Sequence, residues 1–297
     1  MATLVAVVLI IASLFVSNVS GTGDAEVLRS VDANSGSAML SAVMRAVAFA
    51  LLAFPLVYLF RAARARSDRV RTQLIGLVVV APLFLGLSSG FQALAQQEAA
   101  DEFVAGEAKS TLTAKEAKED CADEKKDDGE DHLVDEYEPA KGESPLQACE
   151  TTKREDDEAS NAQTEAAFTP FATGLGIAGG LGFVVALFYS CLWAMRTGLL
   201  SRFWGSLGMA LGVAALFGLM PFVLLWFLYL AVLLLDRLPG GRPPAWAAGE
   251  AIPWPTPGEK AAAELEPDGG WEESEAPSPG EDDDGESGPK RKRKQRE

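Results

Sequence analysis

From Gly76 to Leu85 the chain carries no side chain that can ionise or hydrogen-bond, and this run is one of several like it. A soluble domain with 48% hydrophobic residues spreads them at helical or strand period, whereas here they are gathered into blocks. A block of about 18 or more apolar residues is long enough to cross a bilayer core of about 30 Å as a helix. The pattern therefore predicts an all-α fold, a polytopic transmembrane helix bundle whose first partner is the lipid bilayer.

The blocks fall at about residues 3–17, 39–60, 73–95 and 168–195, followed by a longer stretch from Phe203 to Leu235. Between the second and third lies a short connection, 61–72, holding Arg61, Arg64, Arg66, Arg69 and Arg71. Short basic loops resist translocation, so this one is expected on the cytoplasmic side. Alternation then puts the N-terminus in the cytoplasm, residues 96–167 outside, and Arg196 and Arg202 back inside. The first block has the length of a signal-peptide core. No Lys or Arg precedes it and no small-x-small site follows, which favours an uncleaved signal anchor over a cleaved leader. Asn18-Val19-Ser20 fits the glycosylation sequon, a short match that occurs by chance.

The stretch from Phe203 to Leu235 admits two readings. As a single helix it would run close to 50 Å, long for one crossing. Pro221 near its middle, after Gly218-Leu219-Met220, suits a helical hairpin with arms at about 203–218 and 220–236. Arg196 and Arg202 before it and Arg237 and Arg242 after it give both ends the same basic character. The hairpin makes six membrane helices with both termini inside, and the alternative makes five with the tail outside.

The formal net charge of -16 argues against nucleic acid as a partner. Nearly all of the excess acid lies in 96–167 and 238–288. Composition of this kind predicts a disordered acidic loop and a disordered tail over 238–297. The tail ends in a basic cluster, Lys290 to Arg296, which would be drawn to anionic lipid headgroups by about 1 kcal/mol per charge.

Several constellations bear on chemistry. Cys121 and Cys149 share the outer segment and are candidates for a disulfide worth about 3 kcal/mol on the chain-entropy model. Asp127-Asp128-Gly129-Glu130-Asp131 has the flavour of a calcium loop, but a register centred on Gly129 puts Lys126 at a ligand position and Asp135 at the last one. Gly174, Gly176 and Gly179 spell a dinucleotide fingerprint inside an apolar block with no strand before it, so no cofactor is expected. The glycines instead suggest close helix contact through Gly86 with Gly90, Gly176 with Gly180, and Gly208 with Gly212. Arg45 is the one charge well inside an apolar block, placed near enough to the outer end to snorkel. The single histidine, His132, has no nucleophile beside it, so neither a catalytic site nor a metal site is expected and the chain reads as a non-enzyme.

The runs from Leu51 to Ala62 and from Gly198 to Met209, with Pro239-Gly240-Gly241-Arg242-Pro243-Pro244-Ala245-Trp246, resemble uncharacterised multi-helix membrane proteins of high-GC actinobacteria. The resemblance implies a bacterial plasma membrane and favours the late hairpin, and it implies no activity. A scaffold or sensor with an acidic outer loop is the function expected. A transporter or channel subunit for a small solute or ion is the alternative, since Pro55, Pro82 and Pro221 suit moving helices while intramembrane ionisable groups are nearly absent.

Overall fold

A computed structural model describes residues 1–128, 133, 134, 137, 139, 143–238 and 241–254. Among these residues there is no strand. The helices are α1 (Ala2–Val16), α2 (Asp24–Ala33), α3 (Ser35–Arg66), α4 (Ile75–Val104), α5 (Ala114–Asp128), α6 (Pro145–Glu165), α7 (Thr169–Arg196), α8 (Arg202–Ala214), α9 (Met220–Leu234) and α10 (Pro244–Ala248). Three of them, α3, α4 with the turn before it, and α7, are long and apolar enough to cross a membrane. At 32, 30 and 28 residues they run about 48, 45 and 42 Å, so each overshoots a 30 Å hydrocarbon core. The excess matters, because it carries the ends of α4 and α7 into structure beyond the apolar layer.

The three long helices stand side by side with α4 in the middle, and small residues set the spacing. A Cβ added to Gly86 of α4 would lie 2.8 Å from the Ala46 carbonyl of α3. Between α4 and α7, a Cβ at Gly176 would meet Ser88 Oγ at 3.0 Å, at Gly179 the Leu85 amide at 2.9 Å, and at Gly182 the Ala81 Cβ at 3.0 Å. Numbers fall on one helix as they rise on the other, so the pair is antiparallel. Without a hydrophobic drive between helices in lipid, such backbone proximity is the main source of packing energy. Gly90 has open space around it, and Gly180 makes only an ordinary contact with Leu216 at 3.4 Å. Within one chain, Gly86 and Gly176 make the close helix contacts, and Gly90 and Gly180 do not. A four-residue interval puts two glycines on one side of a helix but does not say that a neighbour runs beside both.

The stretch after α7 is a hairpin. Gly218 takes a left-handed backbone (φ 77°), Leu219 follows, and Pro221 sits in the first turn of α9, where its missing N–H costs nothing. Trp204 stacks on Tyr229 with ring centroids 3.6 Å apart, and Trp226 Nε1 donates to the Trp204 carbonyl. The Trp226 ring also fills the space that Gly208 leaves, so α8 and α9 run antiparallel. The single-helix reading is overturned at Gly218. The arms are 13 and 15 residues, about 20 and 22 Å, and α1 is also 15.

Parts of two segments expected to be disordered are ordered. In the acidic stretch, α4 continues to Val104, and α5 and α6 follow. Together with α2 they form a helical cap over one end of the bundle. Its core is mostly alanine: Ala95, Ala99, Ala159, Ala162 and Ala166 close around Leu28 and Val31. Averaged composition hides this, because one alanine face per helix is enough to bury while three charged faces stay in water. At the opposite end, residues 241–254 pack onto the bundle instead of leaving it. Residues 255–297, including Lys290 to Arg296, lie outside the described residues.

Candidate functional site: a neutral crevice beneath the acidic cap

Helix α6 is the wall that makes the site, and several local devices fix it. Its N-terminus has a capping box in which Ser144 Oγ accepts from the Gln147 amide and the Gln147 side chain accepts from the Ser144 amide. Cys149 on its first turns is bonded to Cys121 of α5, with Cα atoms 6.1 Å apart and both residues fully buried. Beside this link Lys153 pairs with Glu124 at 2.7 Å in a half-buried setting.

Further along α6, three consecutive acids hold two other segments, α2 and the connection before α5. Glu155 pairs with Arg29 of α2, whose guanidinium also lies over the Phe103 ring. Asp156 accepts from the Ala25 amide at 2.9 Å and so caps the N-terminus of α2. Asp157 accepts from the Leu112 and Thr111 amides and from the Ser110 hydroxyl, which ties the connection before α5 to α6. The Leu112 amide, helped by the Ser110 and Thr111 donors, holds the Asp157 carboxyl below its ordinary range. Glu116, accepting from the Thr113 hydroxyl and amide at the start of α5, is lowered for the same reason.

Where α6 turns into α7 it stands away from α4, and a crevice of about 440 Å³ opens between the three helices. From α4 come Ser88, Gln92 and Gln96, one turn apart on a single stripe. Ser160, Gln163 and Thr164 face them from the last turns of α6, and Thr169, Thr173 and Gly176 from α7. The deepest of these, Ser88, is buried and donates to the Ala172 carbonyl at 2.7 Å. Thr164 and Thr169 are similarly spent on the Ser160 and Gln163 carbonyls. The side chains of Gln92, Gln96, Ser160, Gln163 and Thr173 make no hydrogen bond within the described residues, leaving amide and hydroxyl donors and acceptors free to face the crevice.

No charged residue lines it. That is notable in a segment, 96–167, with 23 acids against 8 bases. Glu98, on the same helix as Gln92, is turned to accept from the Ala167 amide at the α6–α7 corner.

The arginine-rich loop is at the other end of the bundle. Arg64 donates to the Asp68 and Val70 carbonyls, and Arg66 donates to the Ala245 and Trp246 carbonyls while its guanidinium lies over the Trp246 ring. Arg61, Arg69 and Arg71 are exposed, and the Arg71 amide donates to the Tyr189 hydroxyl. The strap of residues 241–254 closes over this end, with Trp246 Nε1 on the Leu199 carbonyl and Trp254 Nε1 on the Leu200 carbonyl.

The remaining sequence candidates do not assemble into a site. Arg45 Nη2 reaches Ser41 Oγ at 3.5 Å, while its Nε is buried without a partner. Gly174, Gly176 and Gly179 lie within α7, with no strand before them. His132 and most of the calcium-like run, Gly129 to Asp131 with Asp135, lie outside the described residues. Among the described residues no group of three His, Cys, Asp or Glu is placed to hold a metal.

The sequence reading missed the crevice altogether. The available signal was the spacing of Ser88, Gln92 and Gln96, three polar residues at four-residue intervals along one side of α4, mirrored by Thr169 and Thr173. No protein-family model, curated protein or solved structure matches the chain, so the reading of this site rests on its geometry.

Proposed function

We propose that the chain is a multi-pass protein of a bacterial plasma membrane that displays a helical cap on the outer surface, and that it works without catalysis, as a sensor or binding scaffold. The observation that carries this is the crevice: a neutral polar recess walled jointly by two membrane-length helices and by the cap. A ligand seated there would touch α4 and α7 directly. Those helices lead to the arginine loop and the strap, so occupancy on one side has a route to the other.

Two features support the orientation with the cap outside. The short loop with Arg61, Arg64, Arg66, Arg69 and Arg71 belongs in the cytoplasm by the positive-inside rule. The Cys121–Cys149 bond suits the oxidising side. Trp193, Trp246 and Tyr189 cluster at the arginine end and suit a membrane interface there, as an aromatic belt does on either side of a bilayer. In this reading α1 and the α8–α9 hairpin complete six membrane helices, with the N-terminus and the strap both inside, and the tail from Lys290 to Arg296 meets anionic lipid there. Reporter fusions after residues 100, 150 and 250 test it. Periplasmic activity at the first two and cytoplasmic activity at the third are expected, and the reverse pattern would refute the orientation.

One observation favours a conduit as a second reading: the buried and unpartnered Arg45 Nε within α3. Solute flux into proteoliposomes that Arg45→Ala abolishes would establish it, and its absence for common ions and amino acids would remove it.

A further inference from the structure

We infer that the crevice between α4, α6 and α7 binds an uncharged, hydroxyl-rich group, a sugar or polyol, either free or as the headgroup of a glycolipid. The inference rests on the reading of the cap as an outer binding module and adds the chemical class of what it takes.

The argument starts from charge. Ionic ligands are held by ionic partners or metal ions, and none lines this recess although acids crowd the cap around it. An anion would enter a negative field with nothing to pair it, and a cation would find no carboxylate within the walls. What the walls offer is a set of neutral groups that both donate and accept: the amides of Gln92, Gln96 and Gln163 and the hydroxyls of Ser160 and Thr173. Each sugar hydroxyl also donates and accepts, so it can use both functions of such side chains at once.

Depth gives the second step. The inner end of α7 is marked by Tyr189 and Trp193, and 20 residues of helix, about 30 Å, lead from there back to Thr169 and Thr173. The crevice thus straddles the outer edge of the hydrocarbon layer, its rim on α6 in water and its floor at Ser88 and Gly176 just inside. Beneath it Ile177, Leu181, Val185 and Phe188 continue down α7 as an exposed apolar ridge, which offers an acyl chain a track in line with the polar recess. A headgroup with its tail in the bilayer fits this arrangement without rearrangement.

The full chain in nanodiscs of phosphatidylethanolamine and phosphatidylglycerol, doped with diglucosyl diacylglycerol, tests the inference by native mass spectrometry. Calorimetry with maltose forms the free-sugar arm. The glycolipid is expected to be retained in preference to phosphatidylglycerol. A Gln92→Ala, Gln96→Ala double variant is expected to weaken retention about tenfold, the usual consequence of losing one or two neutral hydrogen bonds. Thr173→Val keeps the shape, removes one hydroxyl and should weaken it less. An intact Cys121–Cys149 bond, read from the mass before and after reduction, shows that each variant keeps its cap.

Glycolipid retention without maltose binding assigns the site to lipid headgroups, and maltose binding assigns it to sugars in either form. If neither probe binds, if phosphatidylglycerol is retained equally, or if both variants retain glycolipid like the parent, the inference is overturned. The fusion map is independent of these results, so the proposed outer sensor can survive the loss of this ligand, and the reverse.

Discussion

The two ends of this molecule satisfy the same physical requirement with opposite chemistry. At the acidic end, carboxylates accept from backbone N–H groups: Asp156 from Ala25 at the start of α2, Asp157 from Leu112 and Thr111, Glu98 from Ala167. At the basic end, guanidinium and indole groups donate to backbone carbonyls: Arg242 to Leu233 and Leu234 at the close of α9, Trp246 to Leu199, Trp254 to Leu200, Arg202 to the Trp254 carbonyl. Every helix leaves N–H groups bare at one end and carbonyls at the other, with partial charges to match. Carboxylates suit the first and arginines the second. Charge that composition marks as solvating thus turns out to hold the ends of helices, and the two ends differ further in that the cap is covalently cross-linked while the strap is held by hydrogen bonds and by packing of Trp246 against Tyr58, Arg66 and Arg242.

That difference can be broken first at the disulfide. Replacing Cys121 and Cys149 by Ser should cost the cap about 3 kcal/mol on the chain-entropy model for a 28-residue separation, seen as proteolysis within 105–165 at lower protease concentration. Tryptophan emission, which reports the strap end, should not move. The strap is broken next at Gly198, whose backbone is left-handed (φ 76°) and where an added Cβ would lie 2.0 Å from the Ile252 carbonyl. Gly198→Ala should cost about 2 kcal/mol, as left-handed strain does for residues other than glycine, and release Trp254 with a red-shifted emission while the cap keeps its protease resistance.

Between the ends, Gly208→Ala would press a methyl to within 2.6 Å of Cys191 Sγ and 2.7 Å of the Trp226 ring. Overpacking of this sort costs about 1–2 kcal/mol and should appear as a lower melting temperature with neither end selectively loosened. The smallest effect is expected at Asp157. Asp157→Ala leaves the exposed 110–112 connection without its acceptor, for about 1 kcal/mol, and should speed amide exchange at Thr111 and Leu112.

Acid sharpens the same contrast. Asp157 and Glu116 are held below the ordinary carboxylate range by hydrogen bonds. Their contribution is complete above an unfolded-state value of about 4 and is lost as pH falls through the lower folded values. The cap should therefore loosen below about pH 4, while the strap, built on arginine and indole donors, should not follow it. Simultaneous loosening of both ends in acid would contradict the division drawn between them.

Much of the bundle was legible because burial in lipid imposes length. A helix that must cross about 30 Å needs an unbroken apolar run, and such runs survive in sequence as blocks whose ends carry arginine. The hairpin was legible as one of two readings, and Gly218 decided it by taking a backbone conformation that ends a helix. The cap was not legible, because its acids were counted as charge when Asp156 and Asp157 act as acceptors at fixed places, and its alanine faces look neutral to any average over composition. The crevice was not legible either, since its walls come from α4, α6 and α7, brought together from positions up to 89 residues apart by the turn at 166–168 and the close fit of Ser88 against Gly176.

The apolar blocks, then, determined by themselves that this chain is helical and built for a bilayer, because hydrophobic length is a property of contiguous sequence. They determined also which ends are basic and which acidic. Only the tertiary structure decided that the acidic segment folds into a cap, that residues 241–254 return to close the basic end, and that a recess without charge lies between helices from distant parts of the chain. Those outcomes depend on which donor meets which acceptor across large separations in sequence, and no local pattern records that.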